Sequence, residues 1–200
     1  MTTTTPAASA PVRVSADVLR PWAARMLQAG GMSADNAAQV ADALVWADLR
    51  GTGSHGVSRL PLYLQWLASG EMAGHAEPKT ITRLPALVVI DGQGGAGAVG
   101  MHSVVDAVVD GAKKAGACVG LLKATTHTGA LGHFTSRIAR QGMVGLAMAA
   151  SGPLMAYHGA AESGLSTAPL SIAAPGASAD AAPILFHMAS SAAALGKLPQ

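Results

Sequence analysis

The sequence predicts an α+β fold: an N-terminal helical unit over residues 14–75, followed by strands and helices over residues 76–200. Three observations carry this reading. Through the first 75 residues apolar side chains recur at helical spacing, in runs opened by serine or proline and closed by glycine. From Thr80 onward short β-branched runs replace them, separated by glycine-rich turns. Finally, 200 residues that are 50% hydrophobic and only 12% charged can bury a sizeable core.

Taken in order, residues 1–13 read as a disordered leader without the basic start and continuous apolar core of a secretory signal. Ser15 caps a helix with Val18, Leu19, Trp22 and Met26 on its apolar face, ended by Gly30 and Gly31, and Pro21 should kink or restart it. Ser33 caps a second helix carrying Ala37, Val40, Ala41, Leu44 and Val45. A third begins near Pro61, carries Leu62, Tyr63, Trp66 and Leu67, and stops at Gly70. Downstream, strands are expected at Ala86–Ile90, Cys118–Leu122, Val144–Ala149 and Pro169–Ala174, with helices at Met101–Ala115 and Leu131–Gln141. Residues 175–182 read as a loop, and 183–198 as a short strand turning into a helix. Cys118, flanked by apolar residues, reads as a buried strand residue.

A net charge of +2, scattered basic residues and only two Phe and two Tyr speak against nucleic-acid binding. The longest apolar run, interrupted at Ser151, Gly152 and Pro153, is too short to cross a bilayer. A cytoplasmic protein is expected. Low charge together with Trp22, Trp46 and Trp66 on apolar helix faces predicts a homodimer.

Chemistry concentrates in residues 48–63, DLRGTGSHGVSRLPLY, where His55 and Arg59 stand four apart in a turn built on Gly51, Gly53 and Gly56. Arginine can grip a carboxylate bidentately, and histidine, titrating near neutrality, can give a proton to a developing alkoxide or take it back. That pairing suits 2-oxo and 2-hydroxy acids; an exposed loop histidine beside a solvated arginine is the bland alternative. His127 sits at a strand-to-helix turn beside Gly129, where it could meet an anion or simply cap the helix. Ser190 and Ser191, at the expected start of the last helix, could offer hydroxyls and amides to phosphates or serve as plain caps. Histidines without an accompanying cysteine or carboxylate cluster predict no metal site.

The run GTGSHGVSRLPLY resembles the signature of the malate/L-lactate dehydrogenase family of the second type. Further segments follow in order. Thr126-His127-Thr128-Gly129-Ala130 is similar to its His-aromatic-Gly segment, Ser151-Gly152-Pro153 to its Asn-Ser-x-Pro turn, and Leu165-Ser166-Thr167-Ala168-Pro169-Leu170 to its Leu-Gly-Thr-Asn-Pro stretch. Pro183 to Ser191, then Gly196-Lys197, resembles its Asp-Met-Ala-Thr-Ser segment and Gly-Lys. The resemblance implies a non-Rossmann, largely antiparallel sheet and an enzyme that interconverts small 2-oxo and 2-hydroxy acids, or reduces cyclic imino acids, with NAD or NADP. It also implies roles. His55 and Arg59 would be catalytic; Ser54, His127 and Thr167 would bind substrate; Gly129, Ser151, His187, Ser190, Ser191 and Lys197 would bind the cofactor.

This chain departs from the pattern at His187, where the family has Asp, at Ser166 and Ala168, which flank the threonine in place of Gly and Asn, and at Gly159-Ala160 in place of Gly-Gly. With no acidic partner, the pKa of His55 should fall. The family's later Lys-Gly-x-Gly segment has no counterpart before Gln200, so the region 76–200 is expected to be incomplete. A truncated or degenerate member that folds or binds a small acid without catalysis is the competing reading. A weaker one is a Rossmann dehydrogenase using the Gly-x-Gly-x-x-Gly repeats of Gly92–Gly100, although no acidic residue follows the second strand.

Overall fold

The computed structural model describes residues 13–178 and 180–191. The leader, the helix expected after residue 191 and Lys197 lie outside the described residues. The helical unit comprises α1 (Ala16–Ala29), α2 (Ala34–Leu49) and α3 (Leu60–Ser69). Pro21 falls inside α1, which nevertheless runs on as one helix. The face of α1 turned to the core is Ala23, Ala24 and Leu27, whereas Val18, Trp22 and Met26 are exposed. Small residues thus permit the close approach of α1 to α2, and the larger apolar stripe points outward. Of the three tryptophans expected at a partner surface, Trp46 is instead buried.

Two three-stranded sheets follow. The first contains β1 (Lys79–Leu84), β2 (Leu87–Gly95) and β3 (Val119–Thr125), with β1 antiparallel and β3 parallel to β2. Helix α4 (Gly97–Ala115) forms the parallel crossover and packs Val104 and Ala107 over Val88 and Ile90. It starts four residues before the expected Met101. Cys118 is half-buried and precedes β3 rather than lying within it, because the outer positions Val119 and Leu121 of this strand are themselves exposed. Strand β1 was not expected: its KTITRL sequence is exposed throughout and lacks an apolar face.

The second sheet has the order β4 (Gly145–Met148), β7 (Leu170–Ala174), β8 (Ile184–Met188), entirely antiparallel. Helix α5 (Leu131–Ala139) covers one face, where Thr135 and Ser171 share a buried hydrogen bond of 2.8 Å. On the opposite face Leu146, Met148, Ile184, Phe186 and Met188 are exposed. Two short antiparallel strands, β5 (Met155–Ala156) and β6 (Ser163–Leu165), close a further hairpin. The architecture is therefore α+β with small sheets, antiparallel except for β2 and β3.

The main core gathers Leu27, Val40, Leu44, Tyr63, Met72, Val99 and Phe134 from α1 to α5 and the segment between α3 and β1. The glycines of the segment linking β2 to α4 fit against the chain itself. A Cβ on Gly97 would come within 2.6 Å of the backbone at Thr126 and His127, and one on Gly100 within 2.7 Å of Leu122. The carbonyl of Gly95 accepts hydrogen bonds from the Thr126 amide and from the hydroxyls of Thr125 and Thr126. This packing fixes the turn that carries His127. Among the described residues no helix is long and apolar enough to cross a membrane.

Candidate active site

After α2 the chain reverses through Gly51, whose φ of +70° glycine adopts without steric cost. It then forms two 3₁₀ turns, Gly53–His55 and Val57–Arg59. Asp48, near the end of α2, accepts a hydrogen bond from the Val57 amide at 2.9 Å and fills the space that a side chain on Gly56 would need. The Ser58 hydroxyl donates to the Gly53 carbonyl at 2.6 Å. Residues 54–59 are thereby held from both sides before Pro61 enters the first turn of α3.

Within this loop, Ser54 is buried and its hydroxyl lies 3.0 Å from Nδ1 of His55. The Nε of Arg59 donates to the Ser54 carbonyl at 2.6 Å, which fixes the guanidinium and leaves its two terminal nitrogens for a carboxylate. His127 arrives from the far side, on the turn after β3, and its ring centroid is 5.3 Å from that of His55. The structure therefore brings Ser54, His55, Arg59 and His127 into one cluster. Tyr63, treated in sequence as a core position of α3, belongs there too: it is buried, and its hydroxyl is 2.8 Å from Nδ1 of His127. A buried tyrosine hydroxyl requires a partner, and that requirement was the only signal available.

Burial holds the pKa of His55 down at about 4, reinforced by the Arg59 guanidinium and then by His187. This corrects the expectation of titration near neutrality; the fall comes first from burial, whereas the sequence pointed to the loss of an acidic partner. His127 is likewise lowered to about 4 by burial, then by His55 and Arg59. Burial raises the pKa of the Tyr63 phenol, against a smaller opposing effect of Arg59. At neutral pH the cluster is a neutral imidazole pair, a protonated phenol and one fixed cation.

The other predicted residues lie in three places. His187 is half-buried on β8, on the α5 side, where its Nδ1 would be 3.3 Å from a Cβ on Gly132. Gly129 follows His127 by two residues at φ +77°, at the turn into α5. Ser151, Thr167 and Ser190 belong to a separate group: the Ser151 amide donates to the Ser166 hydroxyl at 2.9 Å, and both the amide and the hydroxyl of Ser190 donate to the Thr167 carbonyl, at 2.9 and 2.8 Å. The donors of Ser190 are thus engaged by the protein itself, whereas Ser191 Oγ is buried with no hydrogen-bond partner among the described residues. Ala168 takes a φ of +35°, a conformation that Asn tolerates better than Ala. Among the described residues no three His, Cys, Asp or Glu side chains gather at metal-ligating distance.

Comparison with known proteins places this geometry in context. Malate dehydrogenase of Pyrococcus abyssi is 35% identical over 187 residues, covering 94% of this chain and 51% of the relative. The NAD(+) ureidoglycolate dehydrogenase of Escherichia coli K12 is 29% identical over 187 residues, with 94% and 53% covered. The solved structure of malate dehydrogenase from Pyrococcus horikoshii OT3 superimposes with a TM-score of 0.87 at 35% identity, over 93% of this chain and 53% of that one. The chain spans about half the length of the curated relatives it matches. Residues 14–200 match the family described as malate/L-lactate dehydrogenase, and the chain belongs to that family.

Proposed function

We propose that this chain carries the proton-transfer and carboxylate-binding half of an NAD(P)-dependent oxidoreductase that interconverts a small 2-hydroxy acid and its 2-oxo acid, of the malate, lactate or ureidoglycolate type. The observation that carries it is the His55, Arg59 and His127 cluster, with Arg59 immobilised through Nε and its remaining nitrogens unpaired among the described residues. Family membership and relatives named as malate and ureidoglycolate dehydrogenases support the reading.

In this account Arg59 pairs with the substrate carboxylate. His55, neutral at physiological pH, accepts the hydroxyl proton at a ring nitrogen during oxidation and returns it during reduction. Binding of a carboxylate offsets the positive charge of Arg59, the second cause of the depressed pKa of His55, and so makes the imidazole more basic when substrate is present. Tyr63, protonated, donates to Nδ1 of His127; Nε2 then carries the hydrogen and can polarise the substrate oxygen. Ser54 bonds Nδ1 of His55 and orients that ring; Thr167, which lies in the separate group with Ser151 and Ser190, is assigned a substrate contact by resemblance alone.

The bound nicotinamide would supply the hydride acceptor or donor. A fit for it rests on Ser191 Oγ, a buried hydroxyl with no partner among the described residues, and on the side-chain-free turn at Gly129. With them we assign Ser151, His187, Ser190 and Lys197 to the same role, by resemblance. We assign cofactor binding to this region rather than to a Rossmann turn at Gly92–Gly100, since the glycines there are filled by contacts with Ala76, His127 and Leu122.

We further propose a cytoplasmic homodimer with His55 and Arg59 near the partner. Exposed Val18, Trp22 and Met26 on α1 support it. Titration with NADH and NADPH, followed by nicotinamide fluorescence and thermal shift, tests the enzyme reading, because a ligand of the native state raises the melting midpoint. Saturable binding is expected. No binding at millimolar cofactor would favour a family member that folds without catalysis.

A further inference from the structure

Beside the reactive cluster, between the end of α2 and β8, lies an open depression of about 430 Å³ lined by Trp46, Arg50, Thr52, Pro183, Leu185 and His187. Arg50 ends α2, and its guanidinium sits 5.3 Å from the ring centroid of Trp46, a stacking contact that confines a long side chain. His187 is fixed on the sheet opposite, and α5 closes the gap between them: a Cβ on Gly132 would come within 2.9 Å of Trp46 and 3.3 Å of His187 Nδ1. Among the described residues no acidic side chain lines the depression. The nearest acid in sequence, Asp48, is engaged by the Val57 amide.

A guanidinium, an imidazole and a hydroxyl on an apolar floor form a donor set for an oxyanion. Wherever an aspartate stood at position 187 it would face the guanidinium and compete with an incoming anion; histidine leaves that charge unmatched. The depression also borders the reacting end of the site, since Thr52 in its lining accepts the hydrogen bond of the His55 amide at 2.9 Å.

We propose that Arg50 and His187 form an anion subsite next to His55 that takes the second acidic group of a bound small molecule, one not held by Arg59. This rests on the oxidoreductase reading only for the identity of that molecule. The shared chemistry is an oxyanion: the distal carboxylate of a diacid substrate, or a phosphate of the cofactor.

Calorimetric titration of the full chain with malate, lactate and inorganic phosphate separates these sources. Malate and lactate share the 2-hydroxy acid end and differ in the distal carboxylate. With the diacid as occupant, Arg50→Gln weakens malate by about ten- to a hundredfold, as expected for loss of a charged hydrogen bond. Lactate binding stays unchanged, Arg50→Lys recovers part of the malate loss, and His187→Asp weakens malate by like-charge repulsion. If phosphate affinity alone falls in these variants, the subsite stands and serves the cofactor. If neither acid binds the wild type but phosphate binds in an Arg50-dependent way, the oxidoreductase reading fails and the subsite survives. Absence of Arg50-dependent binding for all three probes, in variants with unchanged circular dichroism and melting midpoint, overturns the proposal.

Discussion

The Tyr63 hydroxyl meets Nδ1 of His127 at 2.8 Å across 64 residues of sequence, tying the helical unit to the turn that follows β3. One contact thereby joins the two regions of the fold at a site histidine. Tyr63→Phe keeps the buried ring and its stacking on Trp66 but removes the hydrogen bond. It is expected to lower kcat about tenfold, the worth of roughly 1.4 kcal/mol, with little change in KM or in circular dichroism. A positioning role would be contradicted by unchanged kcat.

His187 bears on the acid–base balance of His55. Replacing it with Asp adds a carboxylate near a group now held at about 4, first by burial and then by Arg59 and His187. Nearby negative charge favours imidazolium, so the acidic limb of the kcat/KM profile for oxidation should move to higher pH. A profile that does not move would show that the two histidines do not communicate.

Gly56 permits the close approach of Asp48 to the loop that carries His55 and Arg59. Gly56→Ala should force the Asp48 carboxylate aside, at a stability cost of about 1–3 kcal/mol, and displace His55. A lower melting midpoint and a loss of activity larger than that of any surface Gly→Ala change are the expected readouts.

Stability should fall in mild acid. His102 and His133 are buried, with edge-to-face rings 5.3 Å apart, and burial depresses both, to about 4 from the usual 6.5. Because the unfolded chain binds these protons first, their contribution is intact above pH 6.5 and is lost as pH falls toward 4. The slope is at most about 1.4 kcal/mol per pH unit for each histidine. Urea unfolding between pH 7 and pH 5 measures it, and His133→Phe should flatten the curve.

Helices α2 and α3 were legible because a 3.6-residue apolar period runs through each, although Ser15 and Ser33, expected as caps of α1 and α2, make no side-chain capping hydrogen bond. The same period misassigned α1: it located an apolar stripe through Val18, Trp22 and Met26 but could not show that the smaller Ala23, Ala24 and Leu27 are the ones that pack inward. The His55 and Arg59 loop stood out through its resemblance to a family signature, since a histidine and an arginine four residues apart are common by themselves. Tyr63 and Arg50 did not, since what gives each a role is a partner remote in sequence or a wall contributed by β8. Strand β1 escaped notice because an exposed edge strand needs no apolar alternation.

The central claim is that His55 transfers the proton while Arg59 holds the acid. Its most direct test is steady-state turnover of pyruvate, oxaloacetate, a ureidoglycolate-type acid and a cyclic imino acid, followed by nicotinamide absorbance, with wild type and His55→Ala side by side. The account predicts turnover of at least one acid by the wild type and a loss of about 10² to 10⁴ in kcat for His55→Ala, the usual span of general acid–base catalysis. Equal rates for the two proteins, or no turnover of any acid by folded, cofactor-saturated wild type, would contradict it.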